Sequence, residues 1–280
     1  MKSLNKQNRT ASQKVKRIIL YILTFPQIFV HKLRGIEGNY DDLATFFRYF
    51  PFGKINKDKT ISFQFMGRKI RFFYGHQSPM AGGIFKNGEY DIVPVKNKVV
   101  VDIGAALGDT AIYFAMKGAK RVYGYELNKR HFDIAQKNLE LNGLQHLINI
   151  EYCGIAKNKI SSANPVLGAL MSSEDAMHVG DANYKTLDSI ATENNFSDAV
   201  LKIDVDGFEY EIINSVSQET LRRFEYIFME YHYGTQRIEK ILSDAGFDVT
   251  KTEITKVRID YHPDEYKNMD IGFLVAKRLG

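Results

Sequence analysis

One segment constrains the fold of this chain more than any other: residues 99–115, which read VVVDIGAALGDTAIYFA. Three valines and Ile103 make a buried strand, and a run apolar on both faces suits a sheet covered on both sides. Gly104 and Gly108 then let the backbone turn tightly where a Cβ would collide with a ligand or with the following helix. The same rhythm continues downstream. Strands are expected at 98–103, 121–126, 147–152, 199–204, 225–231, 247–254 and 270–277, and helices near 109–117, 129–142, 186–194, 207–215 and 235–245. Strands alternating with helices imply an α/β fold with a doubly wound, Rossmann-like sheet of seven strands. No helix separates the last two strands, so the final one is expected to enter antiparallel.

The charges of the glycine loop restrict its ligand. A dinucleotide-binding loop reads G-x-G-x-x-G and cradles a pyrophosphate at a helix N-terminus. Here the pattern is Asp-x-Gly-x-x-x-Gly-Asp, with Asp102 at the strand end and Asp109 at the helix start. Two carboxylates repel a pyrophosphate and suit a cation. S-adenosylmethionine carries an ammonium and a sulfonium, which favours it over NAD. Glu126 closes the next strand, 22 positions after Gly104, near the roughly 20-residue offset at which a carboxylate grips ribose hydroxyls in this topology.

Two further strand ends carry titratable groups. In LKIDVDGFE, Asp204 falls at the carboxyl end of a buried strand, where open α/β sheets hold ligands. Asp206 and Glu209 follow, and three carboxylates there make a general base, a metal site or a solvated helix start. Helix-dipole compensation accounts for Asp206 and Glu209. In FMEYHYG, Glu230 and His232 are two apart and so project to one face of a strand. With Asp204 they form a set of two carboxylates and an imidazole. One use is removal of a hydroxyl proton by His232 or Asp204, histidine being the usual acceptor. Others are ligation of a divalent metal and substrate hydrogen bonding without proton transfer. The acid–base use is favoured over the metal, and Asp204, Glu230 and His232 are the expected catalytic residues.

The segments NGEYDIVPVKNKVVVDIGAALGDTAIYFA, YGYELN, TLDSI, LKIDVDGFEYEII and FMEYHYG together resemble the FkbM family of class I S-adenosylmethionine-dependent methyltransferases, over roughly residues 80–277. The resemblance implies a seven-strand methyltransferase sheet and methyl transfer to a hydroxyl oxygen of a sugar, glycan or other small molecule. It also implies S-adenosylmethionine bound by Asp102, Gly104, Gly108 and Glu126, with Ala105, Asp109, Leu127 and Asp204 completing the cofactor set. The match departs at Asp206, where many relatives have Glu.

The organisation read from the sequence is a basic arm at 1–34 with a short apolar helix, an α+β cap at 35–95 and the methyltransferase domain at 96–280. In the cap, TISFQF and RKIRFFYG flank Met66-Gly67 as a β-hairpin. A polar insertion at 154–185 interrupts the domain. Tyr90 either covers the cofactor or packs. Cys153 alone excludes a disulfide framework and a cysteine-based zinc cluster, which suits a cytoplasmic protein. His76, His131, His146, His178 and His262 lack comparable company and are expected at the surface or in packing.

The chain has 38 basic and 33 acidic residues, but the first 34 residues hold eight basic and no acidic ones. The remainder is mildly acidic, which argues against a nucleic-acid substrate. An RNA methyltransferase and a non-catalytic binding module are the alternatives, and neither is favoured. Within the arm, the uncharged run Ile18 to Val30 covers about 20 Å as a helix, short of the ~30 Å bilayer core. It is expected either to lie in an anionic membrane interface at the inner face or to pack on the main domain.

Overall fold

The computed structural model describes residues 19, 22–26, 40–58, 60–73, 78–159, 181–252, 255–258 and 268–280. The chain divides into two compact units, 1–89 and 90–280. In the first, α1 (Tyr40–Tyr49) precedes a three-stranded antiparallel sheet of β1 (Lys54–Ile55), β2 (Thr60–Phe65) and β3 (Arg68–Phe73), followed by α2 (Ser78–Phe85). The expected hairpin is there. Met66 and Gly67 both take positive φ, 47° and 74°, as a two-residue turn matched to strand twist requires. An aromatic cluster fills this unit, with Phe63 stacked on Phe50 at 4.0 Å and edge-on to Phe85 at 5.3 Å. Of the basic arm, residues 19 and 22–26 are described, and they are helical. Among the described residues no helix is long and apolar enough to cross a membrane.

The second unit is built on β4 (Val99–Ile103), α3 (Asp109–Met116), β5 (Arg121–Glu126), α4 (Lys129–Asn142), β6 (Ile148–Ile155), β7 (Asn183–Lys185), α5 (Leu187–Glu193), β8 (Ala199–Ile203), α6 (Glu209–Ser215), α7 (Gln218–Leu221), β9 (Phe224–Tyr231), α8 (Gln236–Asp244), β10 (Phe247–Lys251), β11 (Thr255–Arg258) and β12 (Asn268–Arg278). The sheet order is β10-β12-β9-β8-β4-β5-β6-β7, with β11 paired to β12 off this path. The strands from β9 to β7 pair in parallel, and β12 is antiparallel to both β9 and β10. The seven expected strands are present, and β7 and β11 are additions. From β4 the chain winds outward through β5 and β6, then returns to start the other half at β8. This places the switch point, and hence the ligand crevice of such sheets, at the carboxyl ends of β4 and β8.

Local chemistry explains the element ends. Asn128 caps α4 by accepting from the N–H groups of Arg130 and His131, and Gly143 closes it at φ 64°, the left-handed stop that a residue without Cβ adopts freely. Thr186 and Ser189 form a capping box on α5. The core lies between sheet and helices and includes Val101, Ile103, Leu201, Ile203, Ile227 and Met229, each at most 2% exposed.

The unit boundary falls at 89/90, before the expected 95/96. Tyr90, Val93 and Val95 are buried, and the Tyr90 ring packs 5.6 Å from Phe114 and 5.2 Å from Phe228. Residues 90–95 are therefore part of the sheet's cover, and Tyr90 has the packing role. Residues 160–180 of the polar insertion, like His76, His178 and His262, lie outside the described residues.

Candidate active site

The glycine loop is shaped by its backbone neighbours. Gly104 has φ +80°, and a Cβ there would lie 1.8 Å from the Asp204 carbonyl oxygen. The obstacle is thus the end of the next strand rather than a ligand or the following helix. Gly108, at φ +75°, abuts Ile150 on β6 and Ala135 on α4. Ala105, 0% exposed, donates its N–H to the Tyr125 carbonyl at 3.1 Å, and the Asn138 amide holds the Leu107 carbonyl at 2.9 Å.

Beneath this loop sits a group that sequence reasoning missed. Lys202, on β8 and 1% exposed, donates to the Gly104 carbonyl at 2.8 Å. Its ammonium lies 3.1 Å from Asp102 Oδ1 and 3.8 Å from Asp204 Oδ2. Burial alone would lower its pKa, but the Asp102 and Asp204 carboxylates outweigh that and hold it above the ordinary lysine range. A lysine inside the otherwise apolar strand AVLKI was the available signal, since such a residue is almost never fully buried without a partner. Asp102 is itself 0% exposed, and its other oxygen accepts from the Thr110 hydroxyl at 2.6 Å. Its Oδ1 is buried against the Lys202 ammonium. Asp102 thus lies beneath the loop beside Lys202, away from its partly exposed rim. Asp109 is likewise buried, and burial pushes its carboxyl up to about 6.

Glu126 is where a ribose-binding carboxylate belongs. Its Oε2 accepts from the Ala106 N–H and its Oε1 from the Asn128 N–H, both at 2.7 Å. Each oxygen keeps acceptor capacity, as a vicinal diol requires. Gly104, Ala106 and Leu127 form the partly exposed rim beside it. Carboxylates around a glycine cradle fit a cationic, ribose-bearing cofactor and oppose a pyrophosphate. His131, which the sequence set aside, has Nδ1 4.0 Å from Glu126. Burial pushes Glu126 up to about 7 against the backbone hydrogen bonds that oppose it. Protonation turns one of its acceptors into a donor, so affinity for a ribose-bearing cationic ligand is expected to weaken as pH falls through about 7. Glu126→Gln should flatten that dependence. Calorimetry across this range checks it, and a pH-independent affinity in the native protein would contradict the assignment.

The expected catalytic set converges. Ligand atoms of Asp204, Glu230 and His232 lie within 4.8 Å of one another, at the carboxyl ends of β8 and β9. The carboxylates are half-buried and His232 is buried. A second missed residue orients the ring: Glu209, 0% exposed at the start of α6. Its Oε1 accepts from His232 Nδ1 at 3.1 Å and from the N–H groups of Val205 and Gly207 at 3.1 and 3.0 Å. Glu209 thus ties the turn ahead of its helix to the imidazole, whose Nε2 lies 3.7 Å from Asp206. Asp206 sits at φ 50° with its carboxylate exposed.

The electrostatics change the role of His232. Burial by itself would lower its pKa, but the hydrogen bond and charge of Glu209, with Asp206 and Glu230, push it up to about 9. At neutral pH that favours the imidazolium, a donor, which leaves Asp204 as the other base the sequence offered. The spacing of the set could also hold a divalent ion, but a metal would first have to displace that proton. Cys153 is buried, and burial raises its thiol to about 11, which marks it as a packed, unreactive group.

Comparisons with known proteins give the family. A family model described as the methyltransferase FkbM domain matches residues 102–249, more than half of the chain. The methyltransferase sdnD of Sordaria araneosa is 24% identical over 226 residues, covering 65% of this chain and 85% of that protein. An uncharacterized protein of Methanocaldococcus jannaschii is 27% identical over 179 residues, and the match spans 64% of this chain but 60% of that relative's length. Among solved structures, a tRNA methyltransferase of M. jannaschii superposes with a TM-score of 0.43 at 18% identity, over 80% of this chain and 55% of that one.

Proposed function

The chain belongs to the FkbM methyltransferase family, and from that premise we propose that it uses S-adenosylmethionine to methylate a hydroxyl oxygen of a sugar, glycan or other small molecule. The observation that carries this reading is the convergence of Asp204, Glu230 and His232 at the switch point next to the Glu126 and Gly104 cradle. When bound, the cofactor supplies an electrophilic methyl group on a sulfonium and leaves as a neutral thioether. The acceptor oxygen gains the bond to carbon and loses its proton.

The chain's own residues divide the remaining work. Glu126 holds the ribose hydroxyls, and Lys202 holds the loop by its Gly104 carbonyl. Asp204 takes the hydroxyl proton, because His232 already carries one at neutral pH. Its imidazolium, pinned by Glu209, stabilises negative charge developing on the acceptor oxygen. This assignment has a definite sign. Since the imidazolium is the working form, kcat/KM is expected to fall as pH rises through about 9, and His232→Ala should lack that descending limb. A rate that instead climbs to a plateau near that pH would restore His232 as the base. The same ionisation links to folding: with its pKa raised above the unfolded value of about 6.5, His232 stabilises the native state fully below that pH and loses its contribution as pH rises through about 9.

The acceptor class is tested by incubating the protein with methyl-labelled S-adenosylmethionine and a fractionated lysate. Label in a glycan or small-molecule fraction supports the reading. Label in RNA would replace it with the nucleic-acid alternative, and no transfer despite cofactor binding would favour a non-catalytic module.

A further inference from the structure

Four of the eight large hydrophobic side chains exposed among the described residues fall within one seven-residue window. They are Ile19, Ile22, Leu23 and Phe25, at 51%, 67%, 69% and 54% exposure. Ile19, Ile22 and Leu23 stand at i, i+3 and i+4, one face of a helix, and residues 19 and 22–26 are helical. Thr24, between two of them in sequence, is 4% exposed. The polarity is inverted: the apolar side chains face outward and the hydroxyl inward. A patch of this kind on a protein surface marks a site of association.

Charge decides what the patch associates with. Lys14, Lys16 and Arg17 precede it and Lys32 and Arg34 follow, in a stretch of 34 residues with eight basic and no acidic side chains. The remaining 246 residues are net negative by three, so the basic character belongs to this segment and not to the catalytic body. Phosphate backbones would attract the lysines but have no use for exposed isoleucine and leucine. A second copy of the chain would meet the same positive charges and be repelled. An anionic bilayer satisfies both features, accepting the apolar face among its acyl chains and the lysines at its headgroups.

We propose that the helical residues 19 and 22–26 belong to a peripheral docking element for anionic membrane, lying in the interface rather than crossing it. The uncharged run of 13 residues, Ile18 to Val30, spans about 20 Å as a helix against a hydrocarbon core of ~30 Å. Neither signal suffices alone, since reversible anchoring generally needs an apolar insertion and a polybasic patch together.

The test is co-sedimentation of the full chain with phosphatidylcholine vesicles prepared with and without phosphatidylglycerol. Binding is expected with the anionic lipid and to decline with added salt. Ile22→Glu combined with Leu23→Glu should abolish it. Lys14, Lys16 and Arg17 replaced by Gln should weaken it by roughly a hundredfold, from about one unit of headgroup attraction per basic residue. Both variants should retain S-adenosylmethionine binding, which shows that the catalytic unit remains folded. Equal sedimentation with and without anionic lipid, or binding unaffected by the glutamate pair, would overturn the proposal. So would self-association in the absence of vesicles that the glutamate pair abolishes, because the patch would then belong to a second copy.

Discussion

Asp204→Asn is expected to lower kcat by ~100- to 10,000-fold, the usual worth of a positioned acid–base group, while the protein folds normally. The expectation rests on where this carboxylate stands. Its side chain is 27% exposed, and among the described residues its ion pair is with Lys202 at 3.8 Å. The amide keeps the shape of the side chain, and Lys202 retains Asp102 and the Gly104 carbonyl as nearer partners. What the variant loses is the proton acceptor. With His232 held as imidazolium, no neutral imidazole is present to substitute at neutral pH. The measurement is single-turnover methyl transfer at saturating cofactor, with unfolding temperature as the control. A rate close to that of the native protein would assign the proton to Glu230 or to solvent.

Lys202→Met should act on stability instead, by about 3–5 kcal/mol, the cost of removing one partner from a buried ion pair. Methionine fills the same channel through the core, so little packing is lost. The penalty arises because Asp102, 0% exposed and with its pKa already pushed up by burial, would either stay charged with only the Thr110 hydroxyl to compensate or have to take up a proton. In a unit of this size that corresponds to a drop in Tm on the order of 10 °C. Adding Asp102→Asn to Lys202→Met should recover part of the loss, since the double variant no longer buries an unpaired charge. Thermal unfolding of the two single variants and the double variant decides it. If Lys202→Met unfolds with the native protein, the ammonium is not what holds Asp102 and the glycine loop together.

Both residues bear on how far the sequence could be read. Where structure follows from local pattern, agreement is close: β5 spans Arg121–Glu126 and α4 spans Lys129–Asn142, the limits expected from the sequence. The antiparallel entry of β12 followed from the missing helix before it. The short strands β7 and β11 were not legible, because three or four residues at a sheet edge take their structure from a partner rather than from their own periodicity. The 90–95 segment belongs to the second unit for a similar reason: Tyr90 finds Phe114 and Phe228, both distant in sequence.

In the site, residue types at strand ends were readable and their electrostatic states were not. Asp204, Glu230 and His232 meet as their positions implied. The protonation of His232 depends on Glu209, 23 residues away, which looked like an ordinary acidic start to a helix. Asp102 carried the charge argument for a cationic ligand, yet Lys202, its direct strand neighbour in register, absorbs that charge internally. The carboxylates left to meet a ligand are Glu126 and Asp204.

Calorimetric titration of S-adenosylmethionine into the full chain, in parallel with Glu126→Gln and with NAD as the competing ligand class, addresses the cofactor site most directly. One molecule should bind per chain, the variant should lose roughly 1.5–3 kcal/mol, as for a hydrogen bond to a charged group, and NAD should give no binding heat. Absence of S-adenosylmethionine binding, or an affinity unchanged by Glu126→Gln, would contradict a methyltransferase site at the β4 and β5 strand ends.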